Sequence, residues 1–187
     1  MSNVGKWDKW YEELSGEPPS AFRYADTVTY LMAAAFMADV EEVEDWGCGA
    51  GGFKRFCHGR YIGVDGSKTP FADKIVDLET YTSSVDGIVM RHVLEHNYNW
   101  EKILKNAVKS FRRKLCLVLF TPFSGPSGTT EITHNREHGV DVPDLALPQA
   151  LIEEQFAECE FVIYDNLSTA TGYGVEHVYL VWRNDPR

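Results

Sequence analysis

The chain has 187 residues, 44% hydrophobic and 25% charged, which excludes disordered and collagen-like classes and suits one domain with a sizeable core. Its formal net charge of -10 repels phosphate backbones, so an extended duplex would need a local basic patch. Lys109, Arg112, Arg113 and Lys114 come nearest to one, and at the expected end of a helix cations are common for dipole reasons alone.

Residues 7 to 38 predict two helical stretches separated by Glu17-Pro18-Pro19, because proline cannot continue a helical ladder and disfavours helical geometry in the residue before it. Ser20 is the expected cap of the second, in which Phe22, Ala25, Val28, Met32, Ala35 and Phe36 recur at helical spacing and are expected in the core. From residue 42 short apolar runs alternate with helical segments, the pattern of βαβ units and a parallel sheet. Strands are expected at about 42–46, 61–65, 74–77, 85–90 and 115–121, with a helix at 99–111 that sets Ile103, Leu104, Ala107 and Val108 on one face. About 25 residues after Pro122, rich in Gly, Pro, Thr, His and Asp, form a connection far longer than usual and are expected to be a functional lid. A last helix at 148–157 leads to strands near 160–164 and 176–183. Cys48, Cys57, Cys116 and Cys159 form no CxxC pair, the first residues lack the apolar core of a signal peptide, and no apolar run reaches membrane-spanning length. The expectation is a cytoplasmic protein with reduced thiols.

The segment Asp45-Trp46-Gly47-Cys48-Gly49-Ala50-Gly51-Gly52 ends the first strand and is expected to open a helix. Glycines there let the backbone turn tightly and approach a ligand without Cβ clashes. Gly47, Gly49 and Gly52 also satisfy the G-x-G-x-x-G of dinucleotide binders, so the turn alone does not choose between cofactors. Asp65 ends the second strand 20 residues after Asp45, where a carboxylate can accept both ribose hydroxyls of a bound adenosine. Asp77 follows the third strand and Asp86 lies in the fourth.

Together these residues resemble the class I S-adenosylmethionine-dependent methyltransferases, from about residue 40 to the C-terminus. Asp45 to Gly51 match the acid-x-Gly-x-Gly-x-Gly turn, Asp65 and Asp77 the acidic second and third strand ends, and Arg91-His92-Val93-Leu94-Glu95-His96 the Leu-Glu-His element after the fourth strand. The resemblance implies an α/β fold, a Rossmann-like three-layer αβα sandwich on a mostly parallel seven-stranded sheet with an antiparallel C-terminal hairpin. It implies one domain over residues 1–187, with 1–38 as a helical cap and 39–187 as a cofactor-binding core carrying a lid at about 122–147. S-adenosylmethionine is the implied cofactor. Asp45, Gly47, Cys48, Gly49 and Gly51 would hold its methionine and ribose, Asp65 and Gly66 the ribose, and Asp77 with Leu78 the adenine. Arg91 and His92 would lie at the methionine end, and Trp7, Tyr11, Arg23 or Tyr24 would close over the carboxylate. Two features depart from the family: only 13 residues separate Gly51 from Asp65, which shortens the first helix, and Trp46 is bulkier than the aliphatic residue expected there.

Methyl transfer from a sulfonium mainly requires acceptor and methyl to be held in near-attack geometry, and a hydroxyl acceptor also needs a base. His92 is the first candidate and His96 the second; a structural histidine bonded to a backbone carbonyl is the competing reading. His134 and His138 have the i, i+4 spacing of two imidazoles on a helix face, yet no third metal ligand is fixed, so no metal is expected. The reading is a methyltransferase for a hydroxyl or amine of a small molecule, with no membrane and no nucleic-acid partner. Beside it stand a nicotinamide-dependent oxidoreductase, a non-catalytic S-adenosylmethionine-binding protein, and methylation of a protein or nucleic acid.

Overall fold

The computed structural model describes residues 4–14, 27–126, 128–136 and 139–184. Its strands are β1 (Glu42–Trp46), β2 (Arg60–Asp65), β3 (Lys74–Ile75), β4 (Val85–Arg91), β5 (Phe111–Leu119), β6 (Thr130–Asn135), β7 (Val142–Ala146), β8 (Glu160–Ser168) and β9 (Val175–Trp182). Its helices are α1 (Asp8–Leu14), α2 (Val28–Phe36), α3 (Trp100–Ser110) and α4 (Gln149–Glu154). Seven strands form one sheet in the order β3-β2-β1-β4-β5-β9-β8, while β6 and β7 pair as a separate ribbon. β1 to β5 run parallel, and β9 is antiparallel to both β5 and β8.

The parallel centre is covered on both faces, which is why β4 and β5 carry near-continuous apolar runs rather than alternation. Ile88 and Met90 point into one core with Ile103 and Leu104 of α3 and Ile152 of α4. Val89 and Val118 point into the other with Ala33 and Ala34 of α2. The result is the expected three-layer α/β sandwich. Between β1 and β4 the strand order reverses, and open α/β sheets bind ligands in the crevice that forms at such a switch point. Among the described residues no helix is long and apolar enough to cross a membrane.

Trp46 is accommodated because Glu44, two residues earlier on the same face, accepts its indole N–H at 2.8 Å. Lys74, Tyr81 and Ser83 also donate to Glu44. Burial opposes ionisation of Glu44, but these hydrogen bonds outweigh it and hold the carboxyl below its ordinary range.

Several boundaries and faces differ from expectation. α2 turns Thr29, Ala33 and Ala34 inward, whereas Val28 is 45% exposed and Ala35 is exposed. The helix is rotated because Thr29 is drawn in to hydrogen-bond Arg91 and Glu176. Ser20, Phe22 and Ala25 lie outside the described residues. β3 is two residues long and stops before Asp77. β5 begins at Phe111, so Arg112, Arg113 and Lys114 stand on a strand rather than at a helix end. They are paired there, Arg112 with Asp86 and the other two with Asp39. The long segment after Pro122 contains the β6–β7 ribbon, whose cross-strand pairing satisfies its backbone. His134 lies on β6, between Glu131 and Asp141; His138 lies outside the described residues.

Candidate active site at the strand tips

Gly47, Gly49 and Gly51 have φ of +74°, +49° and +68°, the left-handed region that favours glycine. A Cβ on Gly47 would stand 2.4 Å from Val93, and one on Gly51 would stand 2.6 Å from Phe71. The N–H groups of Gly47 and Cys48 both donate to Val64 O at the end of β2. Asp65 fastens the turn further: its Oδ2 accepts Gly49 N–H at 2.9 Å and its Oδ1 accepts Ser67 N–H at 2.8 Å. Burial, the largest influence, pushes the Asp65 carboxyl up despite those bonds. Each oxygen still has lone-pair capacity for a ligand hydroxyl.

The expected helix after this turn is absent. Only a 3-10 turn, Lys54–Phe56, separates the glycines from β2. Two adjacent glycines disfavour helix, and the 13 residues before Asp65 must also return the chain to the start of β2. Among the described residues no α-helix therefore follows the glycine turn directly, and the helix dipole that favours a dinucleotide pyrophosphate is absent there.

A cleft of about 630 Å³ runs along the turn, within the size range of small-molecule sites. Asp65, Gly66 and Ser67 line it, as do the apolar Leu78 and Ile103 and, beyond the tip of β4, Arg91, His92, His96 and Phe120. Lys54 and Arg55 also line it. The N-terminal segment closes over it through Gly5 N–H to Gly66 O at 2.7 Å and Trp7 N–H to Ser67 Oγ at 2.9 Å. Trp7 and Tyr11 line the cleft; Arg23 and Tyr24 lie outside the described residues. Asp45 and Asp77 do not line it. Asp45 is buried behind the turn, accepting the Tyr61 hydroxyl at 2.9 Å, and burial pushes its carboxyl up to about 7. Asp77 accepts the N–H of Glu79 at 3.0 Å and shapes the turn that presents Leu78.

His92, at the end of β4, has φ of +58°, an uncommon conformation for a non-glycine residue. Its Nε2 lies 2.6 Å from Oε1 of Glu176, which is fully buried on β9. Arg91 reaches the same oxygen at 2.9 Å. Burial works to raise the Glu176 carboxyl, but His92, Arg91 and Thr29 outweigh it and hold the carboxyl below its usual range. An ionised carboxylate only accepts, so Nε2 carries the proton and Nδ1 keeps its lone pair. Burial, and secondarily the Arg91 cation, pushes the imidazole down to about 4, so the ring is neutral near pH 7. Glu176 went unnoticed in the sequence because its partners lie 84 and 85 positions away. The available signal was an acid in the apolar strand Val175-Glu176-His177-Val178, since buried acids are rare unless paired. Lys54, Arg55 and Asp144 are further cleft residues with no distinguishing local pattern in the sequence.

Glu95 lies beneath this end. Its Oε1 accepts Phe120 N–H at 2.6 Å, Oε2 has no partner among the described residues, and burial pushes the carboxyl up to about 7. A raised carboxyl binds its proton more tightly in the folded state. Its contribution to stability is therefore full below the ordinary carboxyl range and is lost as pH rises through about 7. Glu95→Gln keeps an acceptor for Phe120 and cannot ionise. Thermal melts between pH 5 and 8 are expected to decline less with rising pH in this variant than in the wild type, with the raised carboxyls of Asp45 and Asp65 contributing to the residual slope.

No family model and no curated protein matches the sequence. Solved structures do. A Burkholderia thailandensis 1,6-didemethyltoxoflavin-N1-methyltransferase, with its toxoflavin precursor and S-adenosylhomocysteine bound, has a TM-score of 0.63 at 12% identity over 97% of this chain and 87% of its own. The magnesium protoporphyrin IX methyltransferase of Synechocystis, with S-adenosylmethionine bound, has a TM-score of 0.57 at 16% identity over 95% and 97%. An S-adenosylmethionine-dependent methyltransferase from Clostridium acetobutylicum has a TM-score of 0.60 at 12% identity over 93% and 99%. With its strand order, its glycine turn at the switch point and these likenesses, the chain has the fold of the class I S-adenosylmethionine-dependent methyltransferases.

Proposed function

We propose that the chain is an S-adenosylmethionine-dependent methyltransferase acting on a hydroxyl or amine of a small molecule. The observation that carries this reading is one cleft holding both the Asp65-fastened glycine turn and the neutral His92 with its Glu176 partner. The residues fit the cofactor: the glycine turn lines the cleft, Asp65 has spare lone pairs for ribose hydroxyls, and Leu78 with Ile103 offers an apolar seat for adenine. Lys54 and Arg55 are suited to the cofactor carboxylate. When bound there, S-adenosylmethionine would supply an electrophilic methyl group on a sulfonium that is a good leaving group. His92 Nδ1 takes the acceptor proton, and Glu176 steadies the imidazolium that results.

The absence of a helix N-terminus at the turn disfavours the nicotinamide reading, since S-adenosylmethionine has no pyrophosphate to hold. A small-molecule acceptor is supported by the enclosed cleft and by the acceptors named for the toxoflavin and protoporphyrin enzymes. Pairing of Arg112, Arg113 and Lys114 with acids argues against a nucleic-acid acceptor. The N-terminal segment and residues 122–147 are assigned the cover over that acceptor.

Asp65→Ala tests the cofactor assignment. Calorimetric titration with S-adenosylhomocysteine should show affinity reduced roughly ten- to a hundredfold through lost ribose hydrogen bonds. A circular dichroism spectrum like the wild type's should accompany that loss. Undiminished affinity would mean that another acid holds the ribose.

A further inference from the structure

The acceptor end of the cleft carries two imidazoles whose inner nitrogens are already committed. His92 gives its Nε2–H to Glu176 Oε1 at 2.6 Å. His96 directs Nδ1 to the carbonyl oxygen of Pro143 at 3.0 Å and to Asp144 Oδ1 at 3.2 Å. A carbonyl and a carboxylate can only accept, so each ring must hold its proton on the committed nitrogen. The opposite nitrogens, Nδ1 of His92 and Nε2 of His96, have no protein partner among the described residues, on rings that line the cleft. In the neutral rings both are acceptors. Phe120 lies against both, its centroid 4.8 Å from that of His92 and 5.4 Å from that of His96, and Trp7 meets His96 edge-on at 5.2 Å.

Two preset acceptors joined by an aromatic surface call for a ligand with two hydrogen-bond donors at a fixed separation beside a flat or apolar face. A ring provides that without the ordering cost of a flexible chain. From the His92 and His96 rings that both pack on Phe120, each with its outer nitrogen uncommitted, we infer that the acceptor is a small ring compound bearing two neighbouring hydroxyls. One hydroxyl meets His92 and is the methylation site; the other meets His96 and sets the register. This rests on the methyltransferase reading above. Either an aromatic ring diol or a saturated, sugar-like one carries this chemistry.

The test is calorimetric titration of the S-adenosylhomocysteine-loaded protein with catechol against phenol, and with cyclohexane-1,2-diol against cyclohexanol. Within at least one pair the diol should bind roughly ten- to a hundredfold more tightly, and the favoured pair identifies the ring type. In His96→Phe, which keeps an aromatic ring against Phe120, the diol preference should fall to near parity. His96→Gln, whose amide oxygen reaches toward the position of Nε2, should restore part of it. Equal binding of diol and mono-alcohol in both pairs, no binding by either diol, or a preference that survives in His96→Phe would each overturn the inference. Failure of the protein to load S-adenosylhomocysteine at all would instead overturn the methyltransferase reading on which it stands.

Discussion

Replacing His92 by asparagine is expected to reduce methyl-transfer turnover by about 10²- to 10⁴-fold, the usual worth of a positioned general base, while S-adenosylhomocysteine affinity stays within a fewfold. Asparagine suits this test because it tolerates the left-handed backbone that His92 adopts at φ of +58°, so the strand tip keeps its course. Its amide cannot take a proton near neutral pH. With the imidazole titrating at about 4, the wild-type rate should be level across neutral pH and fall only as pH approaches 4 and Nδ1 becomes occupied. Full turnover in His92→Asn would make the ring a structural partner of Glu176 and remove the base from the mechanism.

Glu176→Ala is expected to lower folding stability by about 3–5 kcal/mol, the cost of leaving a buried charge without its partner. Arg91 is the stranded group. Its side chain is 6% exposed and its Nη2 donates to Glu176 at 2.9 Å, with Thr29 and Tyr30 as its remaining side-chain partners. Losing Glu176 also frees His92 Nε2, so the variant that folds should be slow as well as weak. Urea denaturation measures this as a lower midpoint at an unchanged slope. A loss below about 1 kcal/mol, in the range of an exposed pair, would show that Arg91 finds another partner or reaches solvent.

The sheet was legible because the parallel strands are short apolar runs with turn residues between them, and a strand buried on both faces has little freedom of composition. The glycine turn and Asp65 were legible for a related reason: left-handed backbone and a strand-tip acid restrict which residues can serve. Where a tertiary contact overrode local pattern, the reading failed. Helical spacing pointed to Val28 and Ala35 as core, yet the buried pairing of Arg91 with Glu176 recruits Thr29 and rotates α2. A strand followed by glycines predicted a helix, yet the chain returns to β2 through a single 3-10 turn. Glu176 itself had no local signature beyond its charge, because only the antiparallel placement of β9 beside β5 brings it under the tip of β4. The β6–β7 ribbon resembles a loop in sequence because β6 is polar and exposed and β7, though buried, is only five residues long and broken by Pro143.

The glycine spacing by itself suits a methyl donor or a dinucleotide, and titration decides between them. Wild-type protein titrated calorimetrically with S-adenosylhomocysteine and, separately, with oxidised nicotinamide adenine dinucleotide should bind the first with one-to-one stoichiometry and leave the second unbound. Binding of the dinucleotide alone would contradict the account.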